Sequence, residues 1–301
     1  MSDSARRAGV ATPPAPDSNL LVSPDWLHGQ VGAPGLSIID ARAPISPDRV
    51  GPPVYLNVGT ETAGARIPWA RYIHLVDDLS DPDGSFPIAL ARPPAVAQVL
   101  SAHGISADDT IVVYGGAQEL ATHRVWWALK ASGARDVRVL DGGIERWVHE
   151  GRPLQAEHDH VEPRSFCATR RPEMLAARDD VLAAIDDPRV CLVNALTAAQ
   201  HHSRTDLTYG RPGRIPASCN ISARDLIDPD SGRFLPLSSL RSRFERERVL
   251  EHDRCIVYCG GGIAATTVVL GLWLIGYRAV AMYDGSLREW ARDPRLPMEV
   301  G

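Results

Sequence analysis

The stretch CIVYCG at residues 255–260 is a short apolar run that ends in a cysteine and a glycine. The stretch IVVYGG at residues 111–116 repeats this run, with a glycine in the place of the cysteine. Downstream of each run lies a second pair of similar stretches, DGGIERW at residues 141–147 and DGSLREW at residues 284–290. The offset between copies is 144 residues for the first pair and 143 for the second. The chain therefore contains two copies of one structural unit.

Each copy alternates short apolar runs with stretches of helix length. In the first copy, the runs at residues 36–39 and 111–114 alternate with the stretches 94–103 and 121–132. Continuous apolar runs are typical of buried parallel strands, and their alternation with helices favours parallel sheets. The pattern predicts an α/β fold in which each copy is an open, mostly parallel sheet with helices on both faces.

A length of 301 residues suits two domains, because a domain averages about 150 residues. The stretch 151–164 is polar and contains prolines, as linkers often do. The first residues are rich in Pro, Ala, Ser and Arg and lack the apolar core of a secretory signal. We therefore predict a disordered tail at 1–19, a first domain at 20–150, a linker at 151–164 and a second domain at 165–301.

Composition excludes several function classes. The 32 basic and 37 acidic residues give a net charge of −5, too small to indicate binding to nucleic acid or to an anionic membrane. Residues 255–277 carry no charge and are long enough to span a bilayer, but the glycines at 260–262 interrupt them. This stretch therefore predicts a buried strand and a buried helix. Five cysteines are too few for a disulfide scaffold, and we expect a cytoplasmic protein.

The most informative local feature is the loop that begins at Cys259. A strand ends there, three glycines form a turn, and a helix begins. Glycines allow several backbone N–H groups to converge, and a helix start adds free N–H groups and a partial positive charge. A cysteine in such a loop is expected to exist partly as the thiolate, which is a nucleophile. The predicted anion cradle consists of Gly260, Gly261, Gly262, Ile263 and Ala264.

Other interpretations of this loop can be compared with the sequence. A cysteine phosphatase needs an arginine six residues after the cysteine, where this chain has Ala265. A phosphate-binding P-loop needs a lysine, and a thioredoxin-like centre needs Cys-x-x-Cys; neither is present. A buried structural cysteine remains the alternative to a nucleophile. No cluster of residues has metal-ligand spacing, so we predict neither a metal nor a cofactor.

The sequence resembles the tandem-domain rhodanese sulfurtransferases over nearly its whole length. The segment GRIPASCN at residues 213–220 resembles the family's Gly-His-Ile-Pro-Gly-Ala-x-Asn motif. The segment YDGSLREW at residues 283–290 resembles its carboxy-terminal signature, with Leu287 where an aromatic residue is usual. Cys259 matches the cysteine that forms a persulfide in this family, and Gly115 resembles the inactive amino-terminal half.

The resemblance implies a ping-pong sulfur transfer. The Cys259 thiolate would take the outer sulfur of a small anionic donor, either thiosulfate or 3-mercaptopyruvate, and pass it to a thiol or to cyanide. Thioredoxin is one candidate for the thiol acceptor. The alternative is a non-catalytic rhodanese-like protein that binds or senses sulfane sulfur.

The departures from the family leave the donor open. Thiosulfate-type members carry charged or basic residues after the cysteine, and mercaptopyruvate-type members usually carry Gly-Ser-Gly-Val-Thr, whereas this loop is Gly-Gly-Gly-Ile-Ala. Arg66 and Arg214 stand where the family's motif has histidine. An anionic donor still needs a cation, for which we predict Arg211 and Arg214. Arg204 is the alternative match to the family's substrate arginine.

Overall fold

A computed structural model of the chain describes residues 15–46, 53–59, 65–156, 161–205 and 209–301. Each half of the protein builds one five-stranded parallel sheet with helices on its faces, as the sequence pattern predicts.

Among the residues that the structure describes, the first half contains five strands and four α-helices. The strands are β1 (Leu21–Val22), β2 (Leu36–Asp40), β3 (Ala70–Tyr72), β4 (Thr110–Tyr114) and β5 (Asp136–Leu140). The helices are α1 (Pro24–Gln30), α2 (Pro93–Ala102), α3 (Ala121–Ala131) and α4 (Gly143–His149). The strand order in the sheet is β1-β5-β4-β2-β3.

The second half repeats this plan. Its strands are β6 (Leu175–Ala176), β7 (Val190–Asn194), β8 (Cys219–Asn220), β9 (Arg254–Tyr258) and β10 (Val280–Tyr283). Its helices are α5 (Arg178–Ala184), α6 (Ala198–His201), α7 (Leu237–Arg246), α8 (Ala264–Leu274) and α9 (Ser286–Trp290). The order β6-β10-β9-β7-β8 matches that of the first sheet strand for strand.

The structure describes the chain on both sides of the predicted domain limits at residues 20 and 165. Residues 1–14 of the predicted tail lie outside the described residues. Asp17, which the prediction assigns to the tail, donates its backbone N–H to the Leu274 carbonyl and pairs with Arg278, both of the second half. The second domain is predicted from residue 165, and its first strand, β6, begins at Leu175.

The uncharged stretch at residues 255–277 forms β9 and α8, both of which are buried. A helix that is apolar on all sides needs a protein interior around it, and α3 of the first half packs against α8. Among the described residues, no helix is long and apolar enough to cross a membrane.

The two halves share one hydrophobic core. On β2, Ile38 packs in a cluster confined to the first half. Its neighbour Ile39 points to the opposite face of the sheet, as strand geometry requires. There it joins a larger cluster that continues through Trp126 of α3 to Leu270 of α8.

Equivalent residues of the two halves meet at the interface. His123 Nδ1 lies 2.8 Å from Thr267 Oγ1, and these residues are 144 positions apart, the repeat offset. Burial lowers the pKa of His123 to about 4, so the ring is neutral at physiological pH. A reciprocal pair of hydrogen bonds supports the same symmetry, because the Leu90 N–H donates to Asp284 and the Phe234 N–H donates to Asp141. The two halves are therefore related by an approximate two-fold axis that passes close to His123 and Thr267.

A residue in the left-handed backbone region lies in the segment just before β8. Ala217 has φ = 60°, a conformation that costs an L-residue other than glycine about 1–2 kcal/mol. Its side chain is exposed, so a methyl group is lost there without loss of packing. We expect Ala217→Gly to raise the free energy of unfolding by up to about 1 kcal/mol, because the relief of strain exceeds the added freedom of the unfolded chain.

Urea denaturation can measure this change. The matched control is Ala183→Gly, at an exposed position in α5, which should destabilise the protein by about 1 kcal/mol. Loss of stability in both variants would contradict the assignment of strain to Ala217.

Candidate active site

Cys259 follows β9, a central strand of the second sheet, at the carboxyl edge where ligands bind in open α/β folds. β7 pairs with β9, but β7 is followed by a strand on one side of this pair and β9 by a strand on the other side. The chain therefore leaves the two strands in opposite directions, which opens a crevice at this edge. Only 2% of the Cys259 surface is exposed. The thiol therefore lies at the base of a recess.

The loop after Cys259 forms a cradle of backbone N–H groups. The Gly262 N–H donates to Cys259 Sγ at 3.1 Å. No described residue accepts a hydrogen bond from the N–H groups of Gly260, Gly261 or Ile263. These donors are free to stabilise a second sulfur or an anion next to Cys259.

Two of the three glycines are needed for different reasons. A Cβ atom at Gly260 would collide with the Tyr209 hydroxyl, which packs directly on this residue. Gly262 has φ = 85°, and a Cβ atom there would lie 2.8 Å from the Asp284 carbonyl oxygen. Gly260 therefore leaves room for the Tyr209 side chain, and Gly262 allows the left-handed turn.

Ser286, at the start of α9, fixes the base of the loop. Its Oγ accepts the Cys259 N–H at 3.1 Å, donates to the Tyr283 carbonyl at 2.9 Å and lies 4.0 Å from Cys259 Sγ. The N–H groups of Leu287 and Arg288 donate to the carbonyls of Cys259 and Gly260. The signature at residues 283–290 thus acts as a support for the cysteine loop.

A cavity of about 910 Å³ opens onto Cys259, and both halves line it. The first half contributes residues such as Tyr55, Glu119 and Leu120, and the second contributes Tyr209, Arg288 and the cysteine loop.

Two tyrosines give this cavity hydroxyl donors. Burial raises the pKa of Tyr209 to about 12, and the nearby Cys259 adds to the shift. The same two causes raise the pKa of Tyr55. Both hydroxyls therefore keep their protons at neutral pH.

Among the described residues, three arginines line the cavity: Arg224, Arg288 and Arg292. Arg224 and Arg292 are exposed, whereas Arg288 is half-buried beside the cysteine loop. A Cβ atom at Gly261 would lie 3.5 Å from both Cζ and Nε of Arg288. Among the described residues, none forms a hydrogen bond or ion pair with the Arg288 guanidinium. Arg288 is therefore the cation closest to the loop with its donors available.

The structure does not bring the predicted Arg211 to the cavity. Its guanidinium donates to four backbone carbonyls at and just after the end of α9, those of Trp290, Ala291, Asp293 and Leu296. These carbonyls use the donors that an anionic ligand would need, so the prediction that Arg211 binds the donor is not supported.

Arg214 is likewise turned away from the cavity. It is buried, pairs with Glu299 and donates to the His201 carbonyl at 3.3 Å. The alternative, Arg204, lies beside Gly301 and does not line the cavity either. Arg214 stabilises the carboxy-terminal segment, and Arg204 lies next to it. The sequence could not indicate this, because it does not fix the direction of a side chain in a loop.

The counterpart of the cysteine loop in the first half is already occupied. The N–H of Gly116 donates to Glu119 Oε2 at 3.2 Å, and that of Ala117 donates to Glu145 Oε2 at 2.7 Å. Burial raises the pKa of Glu119. A Cβ atom at Gly115 would collide with Thr122, so this loop cannot hold a cysteine without rearrangement.

Comparison with known proteins agrees with this geometry. The model of the rhodanese-like domain family matches residues 23–150 and again residues 178–293. Thiosulfate/3-mercaptopyruvate sulfurtransferase 1, a mitochondrial protein of Arabidopsis thaliana, is 31% identical, and the alignment covers 97% of this chain and 81% of that protein. Thiosulfate sulfurtransferase of Bos taurus is 30% identical, with 93% of this chain and 94% of the relative covered.

A solved structure shows the same architecture. The crystal structure of SseA, a 3-mercaptopyruvate sulfotransferase from Escherichia coli, superposes with a TM-score of 0.78 at 29% identity, covering 89% of this chain and 98% of SseA. With two matched domains, a shared fold and a cysteine loop in the second half, the chain belongs to the rhodanese family and is a sulfurtransferase.

Proposed function

We propose that Cys259 carries the transferred sulfur as a persulfide, taking it from a small anionic donor. The Cys259 thiolate attacks the outer sulfur of the donor, and the bond that held this sulfur breaks. Thiosulfate would leave as sulfite, and 3-mercaptopyruvate as pyruvate after its enolate takes up a proton. The bond electrons depart with the leaving group, so no external oxidant or reductant is needed.

The observation that carries this proposal is the set of N–H groups around Cys259 from which no described residue accepts a hydrogen bond. A persulfide anion is stabilised by donors that point at the outer sulfur before the reaction begins. Cys259 itself is shielded from solvent, because it is almost fully buried where the cavity meets the loop. In the second step, cyanide or a thiol takes the outer sulfur and the Cys259 thiolate is restored.

We propose Arg288 in place of Arg211 and Arg214 as the cation that binds the donor's anionic group. Arg288 adjoins Gly261, whereas Arg211 and Arg214 are engaged with the carboxy-terminal segment. A sulfonate or a carboxylate bound at Arg288 would hold its sulfur next to the loop. The hydroxyls of Tyr55 and Tyr209 line the same space and add neutral donors.

The position of Cys259 favours a small acceptor. Cyanide or a small thiol can enter the cavity, whereas a protein thiol such as that of thioredoxin must insert its cysteine into it.

All five cysteines are free thiols, which suits a reducing compartment such as the cytoplasm.

Mass spectrometry of the intact protein tests the proposed function. After incubation with thiosulfate or 3-mercaptopyruvate, we expect one added sulfur, mapped by peptide analysis to Cys259 and removed by cyanide. Steady-state turnover with both donors would separate an enzyme from a protein that only binds sulfur. Sulfur found mainly on another cysteine would contradict the assignment of Cys259.

Replacing Arg288 tests the donor site. Loss of one charge-assisted hydrogen bond costs about 1.5–3 kcal/mol, so Arg288→Ala should lower kcat/KM for the donor about 10- to 150-fold. Arg288→Lys keeps the charge and should recover part of this loss.

Arg211→Ala is the contrasting variant. Because Arg211 binds backbone carbonyls, its removal should lower the melting temperature while the donor KM stays unchanged. The reverse result, a changed KM for Arg211→Ala and an unchanged one for Arg288→Ala, would return the donor site to Arg211.

A further inference from the structure

Arg124, on α3 of the first half, reaches into the cysteine loop of the second half. Its Nη1 donates to the Gly262 carbonyl at 3.2 Å and to Asp284 Oδ1 at 2.6 Å. Its Nη2 donates to the Ile88 carbonyl at 2.6 Å. Only 2% of the Arg124 surface is exposed, and its guanidinium stacks on Trp127 at 4.6 Å. The side chain is therefore fixed on all sides.

The second half reproduces only part of this contact, because Arg233 pairs with Asp141, the counterpart of Asp284, through Nε at 2.9 Å. The position that matches Arg124 at the repeat offset is Val268, which has no polar side chain. Arg124 thus acts on the loop that carries the cysteine, whereas no arginine among the described residues donates to a carbonyl of the loop at Gly115. This asymmetry follows the division between the active and the inactive half.

The contact with Gly262 also fixes the next N–H group. The Gly262 carbonyl and the Ile263 N–H belong to one planar trans peptide group, in which they point in opposite directions. With the carbonyl held toward Arg124, the Ile263 N–H must point away from Arg124, and no described residue accepts it. Ile263 lines the cavity together with Cys259.

We propose that Arg124 is a positioning residue, which orients the peptide between Gly262 and Ile263 so that its N–H group meets the sulfur carried on Cys259. This inference rests on the proposed persulfide function. Arg124 itself touches neither donor nor acceptor. Its effect should therefore appear in the sulfur-transfer step and not in the binding of the donor.

The test must separate this role from simple stabilisation. Arg124→Met alone would leave Asp284 as a buried carboxylate without its cation, which destabilises the fold. The double variant Arg124→Met/Asp284→Asn removes both charges and keeps an acceptor oxygen for the Leu90 N–H, which Asp284 accepts at 2.8 Å.

We expect the double variant to regain most of the melting temperature lost in Arg124→Met. Its kcat should stay about 10- to 100-fold below that of the wild type, somewhat less than the cost of deleting an oxyanion-hole donor, while the donor KM changes little. Arg124→Lys, which can still donate to the Gly262 carbonyl, should recover part of the kcat.

Two outcomes would overturn the proposal, and they can be told apart. If kcat returns together with stability in the double variant, Arg124 is only structural, although sulfur still loads on Cys259. If the wild-type protein loads no sulfur on Cys259, the persulfide function itself fails and this inference with it.

Discussion

Replacing Cys259 with serine should abolish sulfur transfer and lower kcat/KM by about 10⁴-fold or more, as loss of a catalytic nucleophile does in other enzymes. A hydroxyl at this position is a poor nucleophile toward sulfur and cannot form a persulfide. The N–H cradle would remain intact, because serine is close to cysteine in size. Turnover with cyanide as acceptor measures the effect, and intact mass should show no added sulfur.

Two other cysteines provide matched controls for this variant. Cys167 is exposed and Cys219 is half-buried, and neither lines the cavity. Cys167→Ser and Cys219→Ser should keep turnover within about threefold of the wild type, the usual range for substitutions away from a site. A large loss in either variant, with activity left in Cys259→Ser, would place the nucleophile elsewhere.

Replacing Gly262 with alanine should lower kcat/KM by about 10²- to 10³-fold, the cost of losing one oxyanion-hole donor. The added Cβ would lie 2.8 Å from the Asp284 carbonyl, and alanine resists a φ of 85°. The turn must therefore shift, which moves away the N–H group that donates to Cys259 Sγ. Steady-state kinetics with either donor can measure this loss.

The control for backbone strain is Gly35→Ala. Gly35 has φ = 78°, but a Cβ atom there has no neighbour within 4 Å, and the residue lies before β2, outside the cavity. This variant should lose about 1–2 kcal/mol of stability with unchanged kinetics. Equal kinetic losses in Gly262→Ala and Gly35→Ala would show that general destabilisation, not the cradle, explains the result.

The sequence was sufficient for the fold because its signals are local. Apolar runs and glycines predicted β9 and α8 nearly to the residue, and the internal repeat predicted the second sheet from the first. The proposed nucleophile could also be predicted from the sequence, since a cysteine between a strand and a glycine turn is visible without coordinates.

The rest of the site depends on contacts between distant segments. Tyr55 and Arg124 belong to the first half, and no pattern in the sequence connects them with a loop more than 100 residues away. Arg288 lies within the signature at residues 283–290. Only the packing of the start of α9 against the cysteine loop reveals the direction of its side chain. Arg211 and Arg214 lie beside and within the motif at residues 213–220, yet they bind the carboxy-terminal segment.

The contact between His123 and Thr267 indicates which type of interface joins the two halves. Equivalent residues that meet on a two-fold axis are the mark of an isologous interface, which normally joins two identical subunits. The two halves therefore associate as the two subunits of a homodimer would, although they are parts of one chain. The surface that a second subunit would offer to the cysteine loop is here a wall of the cavity supplied by the first half. The loop at Gly115 has no cysteine to serve, and its N–H groups bind Glu119 instead.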